Sequence, residues 1–169
     1  MIIRAAQLSD APEIAAIYNH YILGTVITFE ETLVDGKEIE LRITDLKDQD
    51  MPWYVAVDAA GNIIGYAYAS KWKGRCAYRR SVAVTVYLSP EHTGKGAGSR
   101  LYEVLFGTLK SLGYHTVIGG ISLPNAASIR LHEKFGMEKS AHFKEVGYKF
   151  ARYVDVGYWQ GILDVNCSL

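Results

Sequence analysis

The stretch "SPEHTGKGAGSRLYEVL", from Ser89 to Leu105, places three alternating glycines directly before a helical pattern. These are Gly94, Gly96 and Gly98, and the β-branched run "SVAVTVYLS" precedes them. Glycine weakens a helix that it enters, so something must offset that cost. At a strand-to-helix turn, free backbone N–H groups and the positive end of the helix dipole face outward, and glycine lets an anion approach them. The stretch predicts a phosphate or pyrophosphate site, and a glycine-rich connection without a ligand is the alternative.

Two well-known phosphate-binding patterns do not fit this turn. A Walker A loop ends in Gly-Lys followed by Ser or Thr, whereas Gly94-Lys95 is followed by Gly96. A dinucleotide-binding fingerprint belongs to the first βα unit and has an acidic residue about 20 residues later. This turn instead lies past the middle of the chain, so neither pattern explains it.

Composition bounds the class of protein. The 169 residues suit a single domain, residues 1–169, with a sizeable core. Lys plus Arg equals Asp plus Glu at 18 each, so we expect no nucleic-acid partner. No run approaches the roughly 18 apolar residues of a membrane span, and "MIIRAAQLSD" lacks the apolar core of a secretory signal. Cys76 and Cys167 are far apart, which favours a reducing cytoplasm, and the histidine and cysteine spacing predicts no metal site.

Hydrophobic periodicity predicts the element order β, α, α, β, β, β, α, β, α, β, β. The fold class is therefore α/β (α+β), with a mixed central sheet of about seven strands flanked by about four helices on both faces. Ser9 is predicted to cap the first helix, which begins near Pro12. The buried face of the third helix is predicted to carry Leu101, Val104, Leu105, Leu109 and Leu112.

Two segments of the chain resemble the signatures of the GNAT superfamily of N-acetyltransferases. Thr93 to Gly98 is similar to the family's acetyl-CoA pyrophosphate loop, with Thr93 in place of the usual Gln or Arg. The segment "NAASIRLHEKFGM" resembles the second signature. The stretches "TVYLSPEHTGKGAGSRLY", "SLPNAASIRLHEKFGM" and "VDVGYWQ" narrow the resemblance to the phosphinothricin and methionine sulfoximine acetyltransferase subgroup.

This resemblance implies the GNAT fold, acetyl-CoA as cosubstrate, and a homodimer. The implied reaction is direct transfer of acetyl to the primary α-amine of a small acceptor of the phosphinothricin, methionine sulfoximine or methionine sulfone type. Two alternatives stay open: a GNAT enzyme for another amine (a protein N-terminus, a polyamine or an antibiotic), and a CoA-binding regulator without catalysis. Ala83 keeps the second alternative open, because subgroup members can use a catalytic Glu at this position.

The resemblance also implies which residues hold acetyl-CoA. The end of the central strand would pair with the pantetheine arm, the turn would hold the pyrophosphate, and the second signature would flank the cofactor. These residues are Val86, Tyr87 and Leu88 on the strand, Thr93, Gly94, Lys95, Gly96, Ala97, Gly98 and Ser99 in the turn, and Asn125 and Lys134 in the second signature.

The catalytic candidates follow from the needs of amine acylation. An ammonium must lose a proton before it attacks, and Glu30 and Glu31 are the nearest sequence substitutes for the carboxylate absent at Ala83. His132 lies where the family often has a Tyr that protonates the leaving thiolate. A solvated loop position is the alternative for each carboxylate, and core packing is the alternative for His132.

The acceptor candidates are a cationic loop and its aromatic neighbours. An acidic head group favours a forked guanidinium, and Arg75 matches an arginine of the subgroup. Lys73 and Gly74 flank it, and Phe29 and Tyr78 are candidates for walls of the acceptor site. A solvated basic edge is the alternative interpretation of this loop.

Overall fold

A computed structural model of the chain describes residues 1–163, and Cys167 lies outside the described residues. Seven strands form one sheet: β1 (Ile2–Ala5), β2 (Trp53–Val57), β3 (Ile63–Lys71), β4 (Ser81–Leu88), β5 (Thr116–Ser122), β6 (Glu138–Lys149) and β7 (Arg152–Ile162). Their order across the sheet is β1-β2-β3-β4-β5-β7-β6. The pair β4–β5 is parallel and every other neighbouring pair is antiparallel, which confirms the predicted mixed sheet.

Four helices cover the sheet: α1 (Ala11–Gly24), α2 (Gly36–Asp48), α3 (Ala97–Ser111) and α4 (Ala126–Lys134). One apolar cluster packs α1 and α2 on one face of the sheet, against residues such as Val55 and Tyr66. A second cluster packs α3 on the other face, against Ala67 and Val82, with α4 at its edge. The predicted element order is confirmed, and no helix within residues 1–163 is long and apolar enough to cross a bilayer.

Two local predictions were wrong. The predicted buried face of α3 included Val104 and Leu112, which are both exposed. Tyr102 and Phe106 are buried instead, because the apolar stripe turns toward Phe135, whose ring packs against both of theirs. Ser9 does not cap α1, because it lies inside a single 3-10 turn, Leu8–Asp10, that precedes the helix.

The central strands separate part-way along their length. The parallel pairing between β4 and β5 covers Ser81, Val82 and Ala83 only, although β4 continues to Leu88 and β5 to Ser122. Beyond Ala83 the edge of β4 that faces β5 therefore lacks its strand partner. This opening lies next to the turn that begins α3, so the fold brings an unpaired strand edge and a helix start together.

The first strand is tied to α1 by a buried carboxylate. Asp10 is 5% exposed and accepts two hydrogen bonds from the Arg4 guanidinium, at 2.7 and 2.8 Å, and one from the Gln7 backbone N–H at 2.8 Å. Burial alone would raise the pKa of Asp10, but the hydrogen bonds from Arg4 and Gln7 outweigh it and leave the pKa below its usual range. The ionised carboxylate is thus a stabilising part of the fold.

We predict that Asp10→Asn lowers the free energy of unfolding by about 2 kcal/mol near neutral pH, since it removes charge-assisted hydrogen bonds. Because the folded pKa is depressed, this contribution is present above the ordinary Asp pKa and is lost as pH falls through the folded value. The gap between wild type and variant should therefore narrow on acidification. Urea unfolding at several pH values measures it, with the exposed Asp48→Asn as control. A gap that is constant with pH would contradict the role of the Asp10 charge.

Candidate active site

A groove of about 540 Å³ lies between the end of β4, the start of α3 and one side of α4. Ten of the twelve predicted cofactor residues line it: Val86, Tyr87, Leu88, Thr93, Gly94, Gly96, Gly98, Ser99, Asn125 and Lys134. The side chains of Lys95 and Ala97 do not, because Ala97, the first residue of α3, is buried in the core and Lys95 is exposed on the turn. Sequence reasoning missed the groove residues Tyr21, Ile27, Ala127, Ser128, Arg130 and Leu131, which come from α1, from the segment after it and from α4.

The start of α3 is built to accept an anion. Gly94 and Gly96 have φ values of +72° and +88°, and apart from each glycine and its chain neighbours no atom of residues 1–163 lies within 4 Å of where a Cβ would stand at either. The side chains of Asp35 and Asn125 cap α2 and α4, whereas Gly96 precedes α3 and no side chain of residues 1–163 caps it. Its first-turn N–H groups therefore face the open groove, which fits a pyrophosphate.

The unpaired edge of β4 supplies further backbone donors. Ser89 donates its N–H to Ile64 on β3, at 2.9 Å. Because N–H groups alternate sides along a strand, those of Val86 and Leu88 point away from β3 and toward the gap left by β5. The Tyr21 hydroxyl donates to the Leu88 carbonyl at 2.5 Å and fixes the end of this edge. An extended amide-bearing chain fits here as an added strand.

His132 forms one wall of a narrower cleft of about 100 Å³ between β4 and β5, together with Thr85, Val86 and Tyr102. Its ring lies so close to Gly119 on β5 that a Cβ at Gly119 would overlap it. The residue is 3% exposed, with Nε2 3.0 Å from the Tyr102 hydroxyl and Nδ1 2.8 Å from the Ser128 carbonyl. The structure thus places His132 beside the strand edge, with both ring nitrogens engaged.

The hydrogen bonds of His132 define its neutral form. A carbonyl only accepts, so Nδ1 donates to Ser128, and Nε2 of the neutral ring then accepts from Tyr102. Burial lowers the pKa of His132, and the hydrogen bond to the Ser128 carbonyl opposes this only in part. The ring is therefore mainly neutral near pH 7, and its protonated form is a stronger acid than an ordinary histidine.

The other face of β4, under α1 and α2, carries an aromatic cluster. The Tyr87 ring lies 5.1 Å from the rings of Tyr18 and Tyr21 and 5.6 Å from that of Tyr66. Ala83 lies four residues before Tyr87, so its side chain is on the same face of β4. Its partner on β3 is Ser70. The segment between α1 and α2, which carries Glu30 and Glu31, approaches this face.

Glu30 and Glu31 have different environments. Arg42 holds the Glu30 carboxylate through two hydrogen bonds, at 2.8 and 3.1 Å. Burial alone would raise the pKa of Glu30, but the hydrogen bonds from Arg42 and Tyr18 outweigh this effect. The pKa of Glu30 therefore lies below its usual range, and the carboxylate is a weaker base. The side chain of Glu31 is exposed.

The predicted acceptor residues do not come together. Lys73, Gly74, Arg75 and Tyr78 are exposed on the loop before β4, at the opposite end of that strand from the α3 turn, and none lines the groove or the cleft. Phe29 instead contacts the outer strand β6, where its ring covers Gly147 so closely that a Cβ there would overlap it. The sequence pattern could not show this separation, since it depends on the direction of β4.

The described residues offer no candidate metal site. Within residues 1–163 no three His, Cys, Asp or Glu side chains form a group that could hold a metal ion. The cleft and the groove together offer backbone N–H groups, one histidine and hydroxyl groups, which suits the binding and polarisation of an acyl donor.

Comparison with known proteins agrees with this geometry. Residues 3–157 match the acetyltransferase (GNAT) domain family. An L-methionine sulfoximine/L-methionine sulfone acetyltransferase from Pseudomonas aeruginosa is 36% identical, over 98% of this chain and 96% of its own. A phosphinothricin N-acetyltransferase from Streptomyces coelicolor is 37% identical, over 94% of each chain.

A solved structure shows the same fold. The GNAT superfamily phosphinothricin acetyltransferase from Sinorhizobium meliloti, determined in complex with AcCoA, superposes with a TM-score of 0.93 and 38% identity, over 96% of this chain and 88% of its own. The family match and these near-full-length identities confirm the resemblance stated from the sequence. The chain belongs to the GNAT family of acetyl-CoA-dependent N-acetyltransferases.

Proposed function

We propose that this enzyme transfers acetyl from acetyl-CoA to the primary α-amine of a small, zwitterionic amino-acid-like acceptor of the phosphinothricin, methionine sulfoximine or methionine sulfone type. The observation that carries the proposal is the separation of β4 from β5 after Ala83. It opens a path from the groove to the face under α1 and α2, so that a donor from one side can meet an amine from the other. The activities named for the relatives support this acceptor class.

In this proposal the groove residues bind the donor. The start of α3 and the glycine turn hold the pyrophosphate, and Lys134, which now donates to Ser99 at 2.9 Å, adds a positive charge beside it. The N–H groups of Val86 and Leu88 hold the pantetheine arm and stabilise the negative charge that develops on the thioester oxygen. Acetyl-CoA supplies the activated acyl group, and the amine attacks it directly.

Two proton transfers complete the reaction. We assign removal of the ammonium proton to Glu31, directly or through a water, because Arg42 already occupies the Glu30 carboxylate. We assign protonation of the leaving thiolate to His132, which borders the cleft beside Val86. Because the ring is mainly neutral near pH 7, this role falls to its minor protonated form, which the lowered pKa makes a stronger acid. A fall in kcat without a rise in the KM for acetyl-CoA in His132→Ala would be the signature of this role.

We also propose that the enzyme forms a homodimer and that the second copy contributes to the acceptor side. Large apolar side chains are exposed on β6, β7 and the turn between them: Phe143, Val146, Tyr148, Phe150 and Tyr153. A face of this kind favours a homodimer, in which the exposed Arg75 loop of one copy can approach the acceptor site of the other. Molar mass by light scattering tests the dimer.

We further propose that residues 1–169 form one domain, as the family match over 3–157 supports, and that the enzyme is cytoplasmic.

Thiol release from acetyl-CoA with a panel of acceptors tests the function. We expect turnover with methionine sulfoximine, methionine sulfone and phosphinothricin, and none with their N-blocked forms, because the α-amine is the nucleophile. Faster turnover with a peptide N-terminus or a polyamine would replace the acceptor class. Acetyl-CoA binding without turnover of any amine would identify a regulator instead.

We predict that Gly96→Asp lowers acetyl-CoA affinity at least tenfold, because it places a carboxylate against the pyrophosphate. A side chain at this positive φ also costs about 1–2 kcal/mol in the fold. Gly61→Asp is the matched control, since Gly61 has a φ of +93° and is equally open, but lies in the β2–β3 turn. Calorimetry should show normal binding for Gly61→Asp. Equal affinity in the two variants would contradict the turn assignment.

We predict that Glu31→Gln lowers kcat/KM by about a hundredfold at neutral pH, because a positioned base is lost. The pH profile of the wild type should show an inflection below that of the acceptor amine, and this inflection should vanish in Glu31→Gln. Glu30→Gln and the exposed Glu40→Gln should keep it. Loss of the inflection in Glu30→Gln alone would move the base to Glu30. A profile that follows only the amine in every variant would show that neither carboxylate acts.

A further inference from the structure

Lys149, the last residue of β6, is a buried lysine that the reaction above does not use. It is 1% exposed, although β6 is mostly exposed along its length. Its Nζ donates to the Thr28 carbonyl at 2.9 Å and lies 5.1 Å from the centre of the Phe150 ring. Burying an ammonium is costly, and an apolar residue would fill the same space without that cost. The position therefore calls for an explanation beyond packing.

The hydrogen bond of Lys149 ends on a segment that we call the acceptor wall, residues 28–31. Thr28 is 7% exposed, and its hydroxyl lies 2.7 Å from the Tyr18 hydroxyl and accepts the Glu30 N–H at 3.2 Å. Lys149 binds the same threonine at its carbonyl rather than its hydroxyl. The wall is thus fixed between α1 and β6 by groups that converge on one residue.

A second contact between the wall and β6 lies next to the first. The Phe29 ring covers Gly147, two residues before Lys149, where no side chain would fit. Lys149 and Gly147 therefore hold consecutive residues of the wall against the same stretch of β6. The two strand residues are 118 or more positions from Thr28 and Phe29 in the chain, so this clamp is entirely a product of the fold.

The wall faces the place where the amine is proposed to arrive. Tyr18, hydrogen-bonded to Thr28, packs its ring 5.1 Å from that of Tyr87 on β4. Glu30 and Glu31 follow directly, and Arg42 on α2 holds the first of them. A shift of the wall would move these carboxylates relative to β4, and misplacement by about 1 Å can cost a hundredfold in rate.

We propose that Lys149 is a positioning residue for acyl transfer: its ammonium anchors the Thr28 carbonyl and so holds the acceptor wall in the geometry that receives the amine. This rests on the proposed function for the location of the acceptor. Lys149 acts through Thr28 and does not touch the donor, because its side chain lies on the β6 side of the wall and lines neither the groove nor the cleft.

Lys149→Met tests the proposal, since it keeps the length of the side chain and removes the donor. We expect the KM for the acceptor to rise and kcat to fall, each by about tenfold, while the KM for acetyl-CoA stays within about twofold. Lys149→Gln restores an N–H donor without the charge, and it should recover part of the loss. Lys144→Met, on an exposed position of the same strand, is the control and should resemble wild type. An equal rise in both KM values, or unchanged acceptor kinetics, would overturn the proposal.

A readout that needs no acceptor separates this proposal from the proposed function. Hydrogen exchange of the Glu30 amide, which donates to Thr28, should speed up at least about tenfold in Lys149→Met but not in Lys144→Met. If Lys149→Met does not fold, Lys149→Gln takes its place: its shorter, uncharged side chain weakens the bond to Thr28, so the same amide should exchange faster than in wild type. Unchanged exchange overturns the role of Lys149 whichever amine proves to be the acceptor.

Discussion

The parting of β4 from β5 after Ala83 is the constraint on which the rest of the site depends. A continuous sheet would satisfy the N–H groups of Val86 and Leu88 internally and would close the route between its two faces. The His132 ring, packed against Gly119 on β5 and held by Tyr102, occupies part of the gap. The opening is therefore lined by side chains of fixed position, which is what preorganised catalysis requires.

In the proposed function, the two faces of the sheet bind different substrates. On the α3 side, backbone donors from a helix start and a strand edge recognise the parts that every acetyl-CoA molecule shares. On the α1 side, the aromatic cluster around Tyr87 and the segment 28–31 form the surface that we propose meets the variable amine. Backbone recognition tolerates substitutions such as Thr93 for the usual Gln or Arg, because the contacts that matter do not depend on side chains.

Local patterns predicted the strand, the glycine turn and the helix after it, because these depend on neighbouring residues such as Gly94 and Gly96. Ten of the twelve residues that the resemblance assigned to the cofactor line one groove, and their role there stays a prediction. Contacts across long separations were beyond the sequence: Glu30 with Arg42, His132 with Tyr102, and the distance of the Arg75 loop from the groove. Each of these contacts depends on how helices and strands are arranged relative to one another. The hydrophobic periodicity of a single sequence does not report that arrangement.

The uncapped start of α3 has a thermodynamic consequence. With Gly96 before it and no side-chain cap from residues 1–163, this helix end is left to solvent until an anion binds. The donor then stabilises the folded state by mass action, by about 2.7 kcal/mol at a hundred times its dissociation constant. The fraction of folded enzyme, and with it resistance to proteolysis, consequently rises and falls with the supply of acetyl-CoA.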